Sequence, residues 1–152
     1  MAVEIPLTQG FVTLVDDEDA EAVLSLRCHA HRERNLVYAI TSVNGRKVRL
    51  HRWLLDAPAA MQVDHISRDT LDNRRSNLRL ATHSQNLFNI PPRNRLKGIT
   101  RVGAKWKAQI GFQGKHLHLG YFHTDAEAAR EYDRVAADLF GEFAFLNFPQ
   151  EV

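Results

Sequence analysis

Short apolar alternations at Phe11-Val12-Thr13-Leu14-Val15, Leu36-Val37-Tyr38-Ala39-Ile40 and Val48-Arg49-Leu50-His51 predict three strands in the first sixty residues. Val43-Asn44-Gly45-Arg46 between two of them carries the strongest hairpin signal in the chain. From Asp17 to Leu26 the pattern turns helical, with acidic residues in the first turn, where they favour the helix dipole. Beyond residue 60 the pattern changes to a short extended piece at Gln62–Ile66, a polar loop over 67–75 and a helix over roughly 82–89. Strand, loop and helix make a ββα-like unit if the loop or the preceding strand supplies a pairing partner. So small a unit buries little apolar surface alone and would need a bound metal and its flanks to hold it.

Ile90-Pro91-Pro92-Arg93-Asn94-Arg95 reads as a linker, because paired prolines stop a helix and favour extended chain. Three more strands follow at about 98–102, 106–112 and 115–121, with Gly103 and Gln113-Gly114 at the turns. Thr124-Asp125-Ala126-Glu127 is a capping box opening a helix whose apolar stripe is Ala128, Ala129, Tyr132, Val135, Ala136 and Leu139, with Gly141 placed to end it. The pattern predicts an α+β chain with a first domain over 1–90, a linker over 91–96 and a second domain over 97–152.

At 152 residues, 44% apolar and 25% charged, the composition is that of a soluble globular protein of one ordinary domain or two small ones. No run of eighteen apolar residues and no basic-then-apolar start is present, so a soluble, intracellular, cytoplasmic protein is expected. Cys28 is the single cysteine, which excludes an internal disulfide. Cys28-His29-Ala30-His31 lacks a matching second half, and Cys28 is expected as a small buried hydrophobe on a strand.

Net charge is only +2, yet the charges are sorted. Residues 1–26 hold six acids and no Lys or Arg, whereas residues 73–124 hold no acid and ten cations: Arg74, Arg75, Arg79, Arg93, Arg95, Lys97, Arg101, Lys105, Lys107 and Lys115. Solvated faces normally mix both signs, so the acid-free run points to a polyanionic partner. Interleaved amide and aromatic groups suit phosphates and base edges better than a membrane surface.

Asp64-His65, Asn77-Leu78, Gln85-Asn86 and Asn89 form a constellation suited to a phosphodiesterase. Carboxylate and amide oxygens suit Mg²⁺ or Mn²⁺, and imidazole takes a proton near neutral pH. This spacing, with the lead-in Leu50-His51-Arg52-Trp53-Leu54-Leu55, resembles the HNH endonuclease family, more narrowly its phage and intron-encoded homing endonucleases. The resemblance implies a ββα-metal core at about 61–90, His65 as general base, Asp64 and Asn86 as ligands of one divalent cation, and Asn77 holding the histidine-bearing loop or orienting the imidazole. The last position is Asn86 where the family name has histidine, which fits an oxygen-ligated Mg²⁺ or Mn²⁺. Asn77 alternatively only caps its turn, and His51 is expected to pack against the loop outside the site.

Lys97-Gly98-Ile99, Lys105-Trp106-Lys107-Ala108-Gln109-Ile110, His118-Leu119-Gly120-Tyr121-Phe122 and Leu146-Asn147-Phe148-Pro149 resemble the plant ethylene-response-factor DNA-binding domain over about 97–149. That resemblance implies a three-stranded antiparallel sheet laid in the major groove of double-stranded DNA, with one helix behind. Arg101, Lys105, Lys107, Gln109, His116, His118 and Tyr121 are then candidate DNA contacts by alternation. Trp106 either stacks on a sugar or base or is buried against the helix, and Arg93 and Arg95 can track the backbone or enter the minor groove. The function expected is a site-directed, homing-type DNA endonuclease working by a single metal and a histidine base. A DNA-binding regulator with an inactive nuclease scaffold is the alternative, and no protein partner is evident.

Overall fold

Strand β1 (Ala2–Pro6), which the sequence pattern did not mark, pairs antiparallel with β2 (Val12–Asp16). Val3 stands opposite Val15 and Ile5 opposite Thr13, so these four side chains share one face. That face is inward: Ile5, Val15 and Thr13 are buried. Glu4 and Pro6 interrupt the apolar run, which is why β1 is faint in the sequence. Helix α1 (Asp17–Ser25) follows directly with Asp17, Glu18 and Asp19 in its first turn.

The computed structural model describes residues 1–93 and 95–151 and divides by contacts into two units, Met1–Asn86 and Leu87–Val152. In the first unit a second sheet has the order β3 (His29–Glu33), β4 (Leu36–Val43), β5 (Arg46–Arg49). Asn44 and Gly45 both take positive φ, 51° and 76°, the geometry of a two-residue turn whose twist matches its strands. β3 was hidden by its polar sequence, and Cys28 lies just before it, half-buried against the core. The strand expected to run to His51 stops at Arg49 and becomes α2 (Leu50–Leu54), because helical spacing sends Leu50, His51 and Leu54 inward together. Full burial of a leucine such as Leu50 contributes about 1.5–3 kcal/mol.

Strand β6 (Gln62–His65) finds its partner after the polar loop, in β7 (Leu78–Ala81), with Asp64 opposite Arg79 and His65 opposite Leu78. Helix α3 (His83–Phe88) starts from a reciprocal cap: Gln85 N–H donates to Thr82 Oγ1 at 3.2 Å and Thr82 N–H to Gln85 Oε1 at 2.8 Å. Val63 and Leu78 tie this hairpin into the same core as Ile5, Val15, Val23, Leu50 and Leu54.

The second unit begins at Leu87, and within it Phe88 stacks on Phe140 with ring centroids 3.8 Å apart. Asn94 of the expected linker lies outside the described residues. The sheet order is β10 (Lys115–Phe122), β9 (Lys105–Phe112), β8 (Ile99–Val102), and α4 (Asp125–Phe140) packs across it with Ala128, Ala129, Tyr132 and Ala136 buried. The capping box at Thr124 and Glu127 forms as the sequence predicts. Gly98, at φ +77°, lets the backbone lie against the Tyr132 ring; a Cβ there would stand 1.9 Å from Cδ2. Buried Asp133 accepts Asn147 N–H at 2.8 Å, Asn147 Nδ2 at 2.9 Å and Phe148 N–H at 2.8 Å, which anchors the Asn147-Phe148-Pro149 tail. Among the described residues no helix is long and apolar enough to cross a membrane.

Candidate active site

The end of β6 carries Asp64 and His65, both buried. Because neighbours on a strand face opposite ways, the two side chains enter different surroundings. Asp64 Oδ2 accepts Arg79 Nε at 2.9 Å and a terminal Arg79 nitrogen at 2.6 Å. With the side chains only 7% and 10% exposed, this is a buried pair across the β6–β7 register. On the other side His65 Nε2 lies 3.1 Å from Asn73 Oδ1. The His65 ring also meets His51 edge-on, with centroids 4.9 Å apart and planes at 86°, and His51 in turn meets Tyr38 at 5.9 Å.

The loop between β6 and β7 is held at both ends by Asn77. Its Nδ2 donates to Asp72 O and its Oδ1 accepts Ser67 N–H, each at 2.8 Å, while Ile66 N–H donates to Asn77 O at 2.9 Å. This is the loop-holding geometry rather than a simple turn cap. The loop is also fastened to β2: Leu14 N–H donates to Leu71 O at 2.9 Å and Asn73 N–H to Leu14 O at 2.8 Å. Thr13 Oγ1 donates to Leu71 O at 2.7 Å and accepts Asn73 Nδ2 at 2.7 Å. Arg75 closes the clamp, its N–H on Asp16 Oδ2 at 2.7 Å and its guanidinium on both oxygens of Asp19 at 2.8 Å.

Burial pushes His51 down to about 3, helped by its unfavourable electrostatic coupling to the neighbouring His65 ring and by the positive charges of Arg49 and Arg52. Burial likewise lowers His65, and its Asn73 bond together with the carboxylates Asp64, Asp69 and Asp72 opposes that only in part. Both imidazoles are therefore neutral near pH 7, the state in which a histidine can accept a proton. The hydrogen-bonded Arg74 guanidinium holds Asp72 below the ordinary carboxylate range.

Asn86 stands on α3 and donates Nδ2 to Gln62 Oε1 at 2.6 Å, while Gln62 Nε2 lies 3.1 Å from His83 Nδ1. Gln62 thus ties α3 to β6 and leaves the Asn86 carbonyl oxygen as its atom for a cation. A carboxylate and a carbonyl oxygen suit a hard divalent ion. Among the described residues no three His, Cys, Asp or Glu side chains gather as a metal cage. A cation on Asp64 and Asn86 would complete its shell with water and phosphate, the habit of Mg²⁺. Asp64 Oδ2 is already engaged by Arg79, so a cation there would compete with the guanidinium.

The acid-free stretch needs correction as a single DNA surface. Arg74, Arg75 and Arg79 engage Asp72, Asp19 and Asp64 within the chain, and Lys97 Nζ donates to Phe88 O and Ile90 O. Of the remaining candidates, Lys107 stands opposite Thr100 and Tyr121, and Gln109 opposite His118. Lys105, Lys107, Gln109, His116, His118 and Tyr121 share the face that α4 leaves uncovered. Tyr121 joins them only because a bulge between His118 and Gly120 reverses the alternation in β10. Arg101 does not follow the expected outward alternation: it stands opposite Trp106, on the face of buried Ala108 and Ile110. Arg95, Arg101 and Trp106 line one concavity of about 410 Å³ together with Asp125. Arg93 and Arg95 are exposed.

Sequence reasoning left Thr13, His51, Gln62, Asn73 and Arg79 out of the site. Asn73 sits in a polar loop whose spacing does not reveal its partners, and Arg79 meets Asp64 only through the β6–β7 pairing. His51 had one usable signal, a histidine at a helical core position between Leu50 and Leu54.

Residues 56–87 match the family profile described as HNH endonuclease, a span that includes Asp64, His65, Asn73, Asn77 and Asn86. A protein of Acanthamoeba polyphaga mimivirus, named uncharacterized HNH endonuclease L560, is 36% identical over 108 residues, covering 66% of this chain and 58% of that protein. Arabidopsis thaliana dehydration-responsive element-binding protein 2E is 41% identical over 69 residues, 38% of this chain and 28% of that protein. APETALA2-like protein 2 of Oryza sativa subsp. indica is 38% identical over 58 residues, 36% of this chain and 13% of that protein. The chain thus spans just over half of the viral relative and under a third of these plant ones.

Proposed function

Because the chain joins an HNH endonuclease segment to a segment of the plant ethylene-response-factor type, we propose that it is a site-directed DNA endonuclease of the homing type. The observation that carries this is the end of β6, where a buried, hydrogen-bonded His65 sits next to Asp64 within a hairpin followed by the Asn86 helix. His65 accepts a proton from water as the water oxygen bonds to phosphorus. The bond from phosphorus to the ester oxygen breaks, and that oxygen takes a proton from solvent. A general base contributes about 10²–10⁴-fold to such a step. Asp64 and Asn86 hold one Mg²⁺ or Mn²⁺, which when bound stabilises charge on the phosphate and the leaving oxygen. Asn77 keeps the loop behind His65 in place through its two side-chain hydrogen bonds.

The second unit supplies site selection through Lys105, Lys107, Gln109, His116, His118 and Tyr121, with Arg93 and Arg95 following the DNA backbone. Arg and Gln read base edges, whereas Lys more often neutralises phosphate. Tethering raises the effective concentration of a weakly discriminating nuclease at the site its companion has bound. The test is cleavage of random-sequence duplex DNA by the purified protein with Mg²⁺ or Mn²⁺, with the ends sequenced. His65→Ala protein that cut at the wild-type rate would refute the reading.

A binding-only regulator is the second reading, favoured by Arg79 standing on the carboxylate that the cation needs. Wild-type protein that bound a defined site and cut it under no divalent metal would establish that reading instead.

A further inference from the structure

The hydrogen-bond chain behind His65 has only one consistent direction, and a main-chain atom sets it. Leu71 O can only accept, so the single proton of the Thr13 hydroxyl, 2.7 Å away, goes to it. Thr13 Oγ1 has then no proton to give at its second contact and must accept there. The Asn73 atom 2.7 Å from it is therefore the NH₂ nitrogen, which turns the amide oxygen to His65 Nε2 at 3.1 Å. An amide oxygen cannot donate, so Nε2 must carry the hydrogen. A flipped amide would set its oxygen against a hydroxyl whose proton is already used. Thr13 at 0% and Asn73 at 1% exposure leave no room for water to repair that loss.

We propose that Thr13 and Asn73 are positioning residues for His65, which together fix the imidazole as the Nε2-protonated tautomer and make Nδ1 the nitrogen that accepts the proton. The inference rests on the reading of His65 as general base. The main-chain bond from Asn73 N–H to Leu14 O holds the relay to β2, and the edge-on His51 ring holds the imidazole plane. Thr13 lies outside the matched span 56–87, so the tautomer of the base is set by a strand sixty residues before Asn73 in the chain.

The test uses the full chain without added metal, isotope-labelled at histidine, with the His65 signals assigned through their loss in His65→Ala. Nitrogen and carbon shifts distinguish the two neutral tautomers without reference to cleavage. Wild type is expected to show His65 protonated at Nε2. Thr13→Val should give mixed tautomers and lower kcat about tenfold with KM within about twofold, and Thr13→Ser, which keeps the hydroxyl, should restore both. An Nδ1-protonated wild type overturns the proposal, as does a Thr13→Val loss of kcat with the tautomer unchanged or a Thr13→Ser variant that restores neither. Normal cleavage by His65→Ala would defeat the base reading instead, and the tautomer measurement would still decide what Thr13 and Asn73 do to the ring.

Discussion

Replacing Arg79 by Met keeps most of the aliphatic stem and removes both donors from Asp64. The two contacts, at 2.9 Å and 2.6 Å, are charge-assisted hydrogen bonds, each contributing about 1.5–3 kcal/mol. An independent route agrees, since stripping one partner from a buried ion pair costs about 3–5 kcal/mol. The pair is nine-tenths buried on both sides, so solvent screening offsets little of this. Arg79→Met is therefore expected to destabilise the first unit by about 3–5 kcal/mol, which for a domain of this size lowers Tm by at least about 12 °C. Trp53 belongs to the first unit and Trp106 to the second. Fluorescence in a Trp106→Phe background thus follows the first unit alone during urea denaturation. Two further outcomes locate the cost. The double variant Asp64→Asn, Arg79→Met should recover most of the loss because no carboxylate is left stranded. Millimolar Mg²⁺ or Mn²⁺ should stabilise Arg79→Met more than wild type, since the ion meets no competing guanidinium. A loss below about 1 kcal/mol, or a double variant no better than the single one, would refute the stranded-charge argument.

Stability of the first unit should fall as pH drops. His51 is held at about 3 in the folded chain against about 6.5 unfolded, so between those values the unfolded state binds the proton first. The slope is up to about 1.4 kcal/mol per pH unit, and urea midpoints for His51→Gln between pH 7 and pH 4 should be flatter than for wild type; equal slopes would count against a buried neutral His51. Gly98→Ala drives a Cβ into the Tyr132 ring and keeps a positive φ, for a loss of about 2–5 kcal/mol confined to the second unit. Trp106 fluorescence in a Trp53→Phe background should show that unit melting early, and unchanged melting would refute the overlap. DNA binding should weaken with salt at a log–log slope of about −4 if four or five phosphates are neutralised. A nearly flat dependence would remove the exposed cations of the second unit from the interface.

Local chemistry was enough for much of this molecule. The capping box at Thr124 and Glu127, the Asn44-Gly45 turn and the apolar stripe of α4 depend on residues within one or two turns of each other, so spacing alone reveals them. The Asp64-His65 to Asn86 constellation was legible for a similar reason, because it lies within a segment of about thirty residues. Strands β1, β3 and β7 were not, since each is only four or five residues long, too short for a clear alternation, and is stabilised by the partner it pairs with. Neither was the environment that gives the candidate base its character. Thr13 and Asn73, Asp16 and Arg75, Asp19 and Arg75 meet across more than fifty residues of chain. Only tertiary packing decides which amide faces His65 and which cations of the acid-free run are already engaged. The sequence determined which chemical groups this protein has and their spacing along each element. The fold determined which are buried, because desolvation and hydrogen-bond direction depend on neighbours in space rather than along the chain.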